Sequence, residues 1–209
     1  MNDLVFQSGQ TVLFIGDSIT DCGRRQDQEQ LGNGYVRKVT ELITAKYPHR
    51  DISYVNKGIG GDTVEGLESR WTTDVLDIKP DWLSIKIGIN NAARQEDLDD
   101  IYIPKWESTY RGILNQSKNE LDLAGIFLFE IFYIAEDVEF PQQWSVPEYN
   151  KVIHQLAEEF GAQLVPVNIV FQQAIVDRPG FPWTTMDGVH PNPNGHSLMA
   201  LEFLKIVNW

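Results

Sequence analysis

Cys22 is the only cysteine in this 209-residue chain, so an intrachain disulfide framework is excluded. Near a turn, a lone thiol reads more readily as a small space-filler than as a redox group. Basic residues are scarce as well: 17 Lys and Arg stand against 30 Asp and Glu, a formal charge of −13. That balance argues against nucleic acid and anionic lipid as partners, because both are bound through phosphate. No apolar run reaches the roughly 18–20 residues of a membrane span. Met1 to Gln10 has neither a basic start nor an apolar stretch, so no secretion signal is expected and the default location is the cytoplasm. Four histidines and one cysteine show no zinc-ligand spacing. The acidic cluster Glu96, Asp97, Asp99 and Asp100 lacks the spacing of a calcium loop and reads as a solvated face. A phosphate-binding loop with its lysine and a G-x-G-x-x-G pattern are also missing. No metal and no cofactor are expected.

What the chain does have is alternation. Apolar runs of strand length occur at Val12–Ile15, Ile52–Asn56, Trp82–Ile87, within 124–134 and at Leu164–Val167. Between them lie helical stripes: Val36, Val39, Leu42 or Ile43, and Tyr47; Val64, Leu67, Trp71 and Val75 behind a capping Thr63; and Trp106, Tyr110, Ile113 and Leu114. Tyr149, Val152, Ile153, Leu156 and Phe160 form a further stripe ending at Gly161. Helical sequence at Ile169–Val176 and at about Asn194–Val207 completes the set. Strands alternating with helices through short connections predict a parallel five-stranded sheet covered on both faces. The expected fold is α/β, one three-layer α/β/α sandwich over residues 1–209, with no repeats or linkers. In such folds sites form beyond the carboxyl ends of the strands. Glu130 interrupts its apolar run and is expected to be a rim carboxylate facing water.

The first strand ends in Gly16-Asp17-Ser18, which delivers a serine to a turn at the sheet edge. It is not the G-x-S-x-G elbow, since Thr20 stands at the second glycine position, and most serines after strands are caps or turns. Weight comes from Asp187-Gly188-Val189-His190 at the far end of the chain. Ester hydrolysis by serine needs a nucleophile, a base, an orienting acid and oxyanion donors. His190 is the best base, because it lies in a Gly/Pro/Asn-rich loop, and Asp187 can reach its other ring nitrogen through one turn. His49 reads as surface turn, His154 as a solvated helical position and His196 as structural. The Asn90 amide and the backbone N–H groups of Gly61 and Ser18 are candidate oxyanion donors. Taken singly, the glycine loop is as readily a turn with positive φ, and Asn90 a local turn bond.

Together these segments resemble the GDSL, or SGNH, hydrolase family. Gly16-Asp17-Ser18 looks like its first block, Asn56 to Thr63 its second, Gly88-Ile89-Asn90-Asn91 its third and Asp187 to His190 its fifth, in the family's order. The resemblance implies a flavodoxin-like sandwich and a serine esterase acting through an acyl-enzyme. It implies Ser18 as nucleophile, Asp187 and His190 as triad partners, and Ser18, Gly61 and Asn90 as oxyanion donors. One departure is Asn91, where the family usually carries Asp, and Asn91 is assigned to holding its loop. The competing reading is a degenerate hydrolase retained as a carbohydrate-binding or interaction module. The expected partner is a small-molecule ester, with small acyl or acetyl groups, carbohydrate esters included; a homo-oligomer is left open. Phe132, Tyr133, Phe140, Trp144, Phe181 and Trp183 flank the expected site, where they would stack on substrate or pack in the core.

Overall fold

The computed structural model describes residues 3–94, 102–134 and 145–209. Five parallel strands form one sheet in the order β2-β1-β3-β4-β5, comprising β1 Thr11–Gly16, β2 Ser53–Gly58, β3 Trp82–Lys86, β4 Gly125–Phe129 and β5 Gln163–Val165. This is the flavodoxin-like order, and its switch point falls beside β1. Successive side chains leave opposite faces of a strand, so each strand feeds two cores. Leu13 and Ile15 of β1 join Leu83 and Ile85, under α3 (Val64–Trp71), α5 (Tyr102–Glu120) and α6 (Val146–Phe160). Val12 and Phe14 join Phe127 and Phe129, under α2 (Tyr35–Lys46), α7 (Val167–Asp177) and α8 (Pro193–Ile206). The apolar stripes read from the sequence are the faces that bury. The acidic cluster at 96–100 lies outside the described residues.

Boundaries moved where tertiary contacts intervene. The strand expected at 52–56 runs on to Gly58, because Asn56 accepts the Gly58 N–H and donates to the carbonyls of Thr20 and Leu31. The expected long fourth strand stops at Phe129. Glu130 corrects the expectation of a water-facing rim: it is 2% exposed. Its Oε2 accepts the N–H groups of Asn168 (2.9 Å) and Ile169 (3.4 Å), and Oε1 meets His154 Nε2 at 2.7 Å. A carboxylate that satisfies the orphan amides of a first helical turn is a cap supplied from another strand. It also explains why α7 starts at Val167, two residues earlier than its sequence suggests. His154 is half-exposed on the outer side of that contact.

Candidate active site

Register brings the site together. Gly16, the last residue of β1, pairs with Gly58 on one side and Lys86 on the other, so the chain leaves all three strands at one level. A Cβ on Gly16 would lie 2.2 Å from the Lys86 carbonyl oxygen, so only glycine allows this approach. Asp17 then caps the short helix α1 (Ser18–Asp21) by accepting the Ile19 N–H at 3.0 Å, which fixes where Ser18 begins.

His190 arrives from the opposite end of the chain on a hairpin-like loop. Thr184 bridges Pro191 antiparallel, and the Thr185 N–H donates to the His190 carbonyl at 2.8 Å. Inside that loop Asp187 Oδ1 accepts the N–H groups of Val189 (2.9 Å) and His190 (2.8 Å), a tight Asx-type turn. Gly188 sits at φ +73°, and a Cβ there would lie 2.4 Å from the Tyr133 ring, so the turn is seated on Tyr133 and needs glycine. The Ile134 N–H donates to the Gly188 carbonyl at 2.8 Å and ties the turn to the chain leaving β4.

The result is a continuous relay. His190 Nε2 lies 2.8 Å from Ser18 Oγ, and His190 Nδ1 lies 2.5 Å from Asp187 Oδ2. Because a carboxylate only accepts, Nδ1 carries the ring proton, and the neutral imidazole presents its Nε2 lone pair to the Ser18 hydroxyl. Burial pushes the Asp187 carboxyl up, but the His190 N–H, the imidazole and the Val189 N–H outweigh it, and the group sits below the usual range. Asp187 is therefore ionised at neutral pH, as an orienting partner must be. The side chains of both His190 and Asp187 remain nearly half-exposed, at 46% and 44%.

The two remaining candidates lie on adjacent segments. Asn90 is in the first turn of α4 (Ile89–Arg94) and donates one amide hydrogen to the Asp62 carbonyl at 2.9 Å. Asp62 directly follows Gly61, whose φ is +77°. The Asn90 amide and the Gly61 peptide thus belong to one bonded unit. Asn91 does hold structure, as expected: its Oδ1 accepts the Val64 N–H at 3.1 Å and its Nδ2 donates to Glu65 Oε2 at 2.9 Å. An Asp here could start α3 but could not donate to Glu65, so the departure at Asn91 is matched to Glu65.

The other expectations sort plainly. His196 is buried, accepts the Tyr35 N–H at Nδ1 (3.1 Å), and has Nε2 3.5 Å from Cys22 Sγ. Burial first, then the cations around it, hold its pKa down to about 4. Phe132 packs on Phe171 with ring centroids 4.4 Å apart, so it belongs to the core and not to the site. Tyr133 is likewise buried beneath the Asp187 turn, Phe181 and Trp183 pack on each other, and Phe140 and Trp144 lie outside the described residues. Two clefts along α2 and α8, of about 780 and 430 Å³, are lined by none of Ser18, Asn90 or His190. Among the described residues no group of three or more His, Cys, Asp or Glu could hold a metal, and no helix is long and apolar enough to cross a membrane.

Two residues went unread. Lys86 is fully buried, with Nζ 3.0 Å from Asp17 Oδ2, directly behind the serine turn. Its signal was there, a cation inside the apolar run Trp82–Ile87. Arg70, on α3, donates to Asp62, Asp74 and two backbone carbonyls. Its only local trace is the i,i+4 partner Asp74.

A doubly covered parallel sheet that presents a serine hydroxyl to an aspartate-paired imidazole defines a hydrolase of the serine type. The chain belongs to the GDSL-like lipase/acylhydrolase family, whose model matches residues 14–198. It is similar to an acetylxylan esterase of Geobacillus stearothermophilus, with 38% identity covering 97% of this chain and 95% of that one. The crystal structure of that enzyme superposes with a TM-score of 0.86, covering 97% and 96% of the two chains. An α/β hydrolase from the metagenome of Lake Arreo, Spain, is 29% identical with a TM-score of 0.87, covering 99% and 98%. A shorter stretch is 49% identical over 55 residues to an uncharacterized lipoprotein of Bacillus subtilis, 26% of this chain and 22% of that one. The protein is a carboxylic ester hydrolase.

Proposed function

We propose that this hydrolase removes acetyl groups from carbohydrate esters, with Ser18 as nucleophile, His190 as base and Asp187 as its orienting acid. The observation that carries the residue roles is the relay of 2.8 Å and 2.5 Å from Ser18 Oγ through His190 to Asp187. Ser18 Oγ attacks the acyl carbon while its proton passes to His190 Nε2. The carbonyl π pair moves onto oxygen, where the second amide hydrogen of Asn90 and the N–H groups of Gly61 and Ser18 would receive it. Collapse breaks the ester C–O bond, and His190 returns the proton to the leaving alcohol. Water, deprotonated by the same imidazole, then attacks the acyl-enzyme, and acetic acid and the free serine are released.

The acetyl-carbohydrate assignment is supported by the acetylxylan esterase relative. Structures related to this chain include that enzyme with alanine at a catalytic serine, aspartate or histidine. It also fits the nearly half-exposed His190, which leaves room for a bulky sugar as the alcohol half. The chain would act as one domain over residues 1–209. A cytoplasmic location is compatible with its single free thiol, Cys22, and fractionation of the native cell tests it. For the chemistry, the test is hydrolysis of p-nitrophenyl acetate and of acetylated xylo-oligosaccharides by wild type and Ser18→Ala. The variant should fold and lose about 10³-fold or more in kcat. Near-native turnover by a folded Ser18→Ala would sink the nucleophile. Failure of wild type to release acetate from the sugar esters, with p-nitrophenyl acetate still cleaved, would sink the substrate class.

A further inference from the structure

Three backbone segments must keep a common register for an oxyanion to meet Ser18 N–H, Gly61 N–H and the Asn90 amide at once. They belong to three different strand ends, those of β1, β2 and β3. One side chain touches the backbone leading into the first two and the side chain of Asp62, the residue whose carbonyl accepts from the third. Arg70 Nη2 donates to the Gly16 carbonyl at 3.4 Å, two residues before Ser18. Its Nη1 donates to the Lys57 carbonyl at 2.7 Å, where the chain enters the Gly58–Asp62 loop. Its Nε and Nη2 donate to Asp62 Oδ2 at 3.0 and 2.7 Å, and Asp62 follows Gly61 and accepts Asn90 on its carbonyl.

The guanidinium is itself well held. Its side chain is 13% exposed, and Nη1 also donates to Asp74 Oδ2 at 2.7 Å. Asp74 is held in turn by Lys57 Nζ at 3.0 Å. A planar fork of five donors can bridge these acceptors; a lysine, with one nitrogen, cannot span them. The Gly16 carbonyl further accepts the Ile59 N–H at 3.0 Å, so Arg70 completes a tie between β1 and the glycine loop that the backbone has begun.

We propose that Arg70 is a positioning residue that keeps the three oxyanion donors in register, an inference that rests on the oxyanion assignment made above. It touches no reacting atom. Its effect appears as the transition state forms, because the donors bind the tetrahedral oxyanion more strongly than the ground-state carbonyl.

The test compares p-nitrophenyl acetate with p-nitrophenyl thionoacetate, whose sulfur is a weak hydrogen-bond acceptor. Arg70→Met removes the tie but leaves Asp62 and Asp74 without a cation, so Arg70→Lys, which keeps the charge, is measured beside it. In Arg70→Lys, kcat on the oxygen ester should fall about 10–100-fold, less than the roughly 10²–10³-fold loss of a donor removed outright, while KM changes less than about threefold. The preference for oxygen over sulfur ester should narrow by about tenfold, because only the oxygen ester loses the donors. A folded Arg70→Lys that keeps the wild-type oxygen-to-sulfur ratio overturns the proposal, whatever its kcat. Asn90→Ala serves as the reference. If Asn90→Ala leaves the ratio unchanged, the oxyanion assignment itself fails; if it narrows the ratio and Arg70→Lys does not, only the role of Arg70 fails.

Discussion

Replacing Lys86 by methionine would keep the volume of the side chain and remove its charge from a fully buried place. Lys86 and Asp17 are both fully buried, and Nζ to Oδ2 is 3.0 Å. Burial lowers the lysine pKa, and the Asp17 carboxylate opposes that shift. After Lys86→Met the Asp17 carboxylate keeps one described side-chain bond, from the Ile19 N–H, and its other oxygen loses the ammonium it now meets. Breaking a buried pair from one side costs about 3–5 kcal/mol. In a chain of this length each kcal/mol moves Tm by about 2–4 °C, so a fall of roughly 6–20 °C is expected. Asp17→Asn should cost a comparable amount, because it strands the ammonium while the Asn oxygen still caps Ile19. In the double variant no charge is left buried, and the remaining cost is that of one unpaired amide, about 1–3 kcal/mol. Urea titrations of the four proteins, read as a double-mutant cycle, check this. The double variant should be more stable than either single one. If the two losses simply add, the pair is not the unit of stability described here.

Three other outcomes follow from the same geometry. Asn91→Asp places a carboxylate against Glu65 and should lower stability by about 1–2 kcal/mol while kcat stays within about tenfold; adding Glu65→Gln should restore the melt, and no recovery would refute the match between the two positions. His196 is held neutral in the fold, with its pKa down from 6.5 to about 4. The unfolded chain therefore binds a proton first, and stability falls as pH drops from about 6.5 toward 4, by up to about 3 kcal/mol; His196→Asn should flatten that window in melts taken at successive pH values, and an unchanged slope would refute it. Glu130→Gln keeps an acceptor for the α7 amides but loses the charge on both Asn168 and His154, and a loss of about 1 kcal/mol in urea titration is expected; a loss no larger than the experimental error would show that the cap works without its charge.

Much of this protein is decided locally. Period-2 and period-3.6 patterns place apolar side chains on strands and helices whatever their neighbours are, so the parallel sheet and both cores were legible. The serine turn and the Asp187 turn were legible for a similar reason. Gly16, Gly188 and the Asx bonds of Asp17 and Asp187 act within three residues or need a glycine to exist at all. His190 could be separated from His196 by its loop, and the structure places His190 at Ser18 and His196 against Tyr35. Polar groups meeting across the sheet were not legible. Glu130 looked like a rim residue because nothing near it in sequence can bond it; its partners lie 24 and 38 residues away. Lys86 meets Asp17 across 69 residues, and Arg70 meets the Gly16 carbonyl across 54. Such contacts depend on strand order and register, which set the spacing of neighbouring backbones to within an ångström, and only the assembled sheet supplies that.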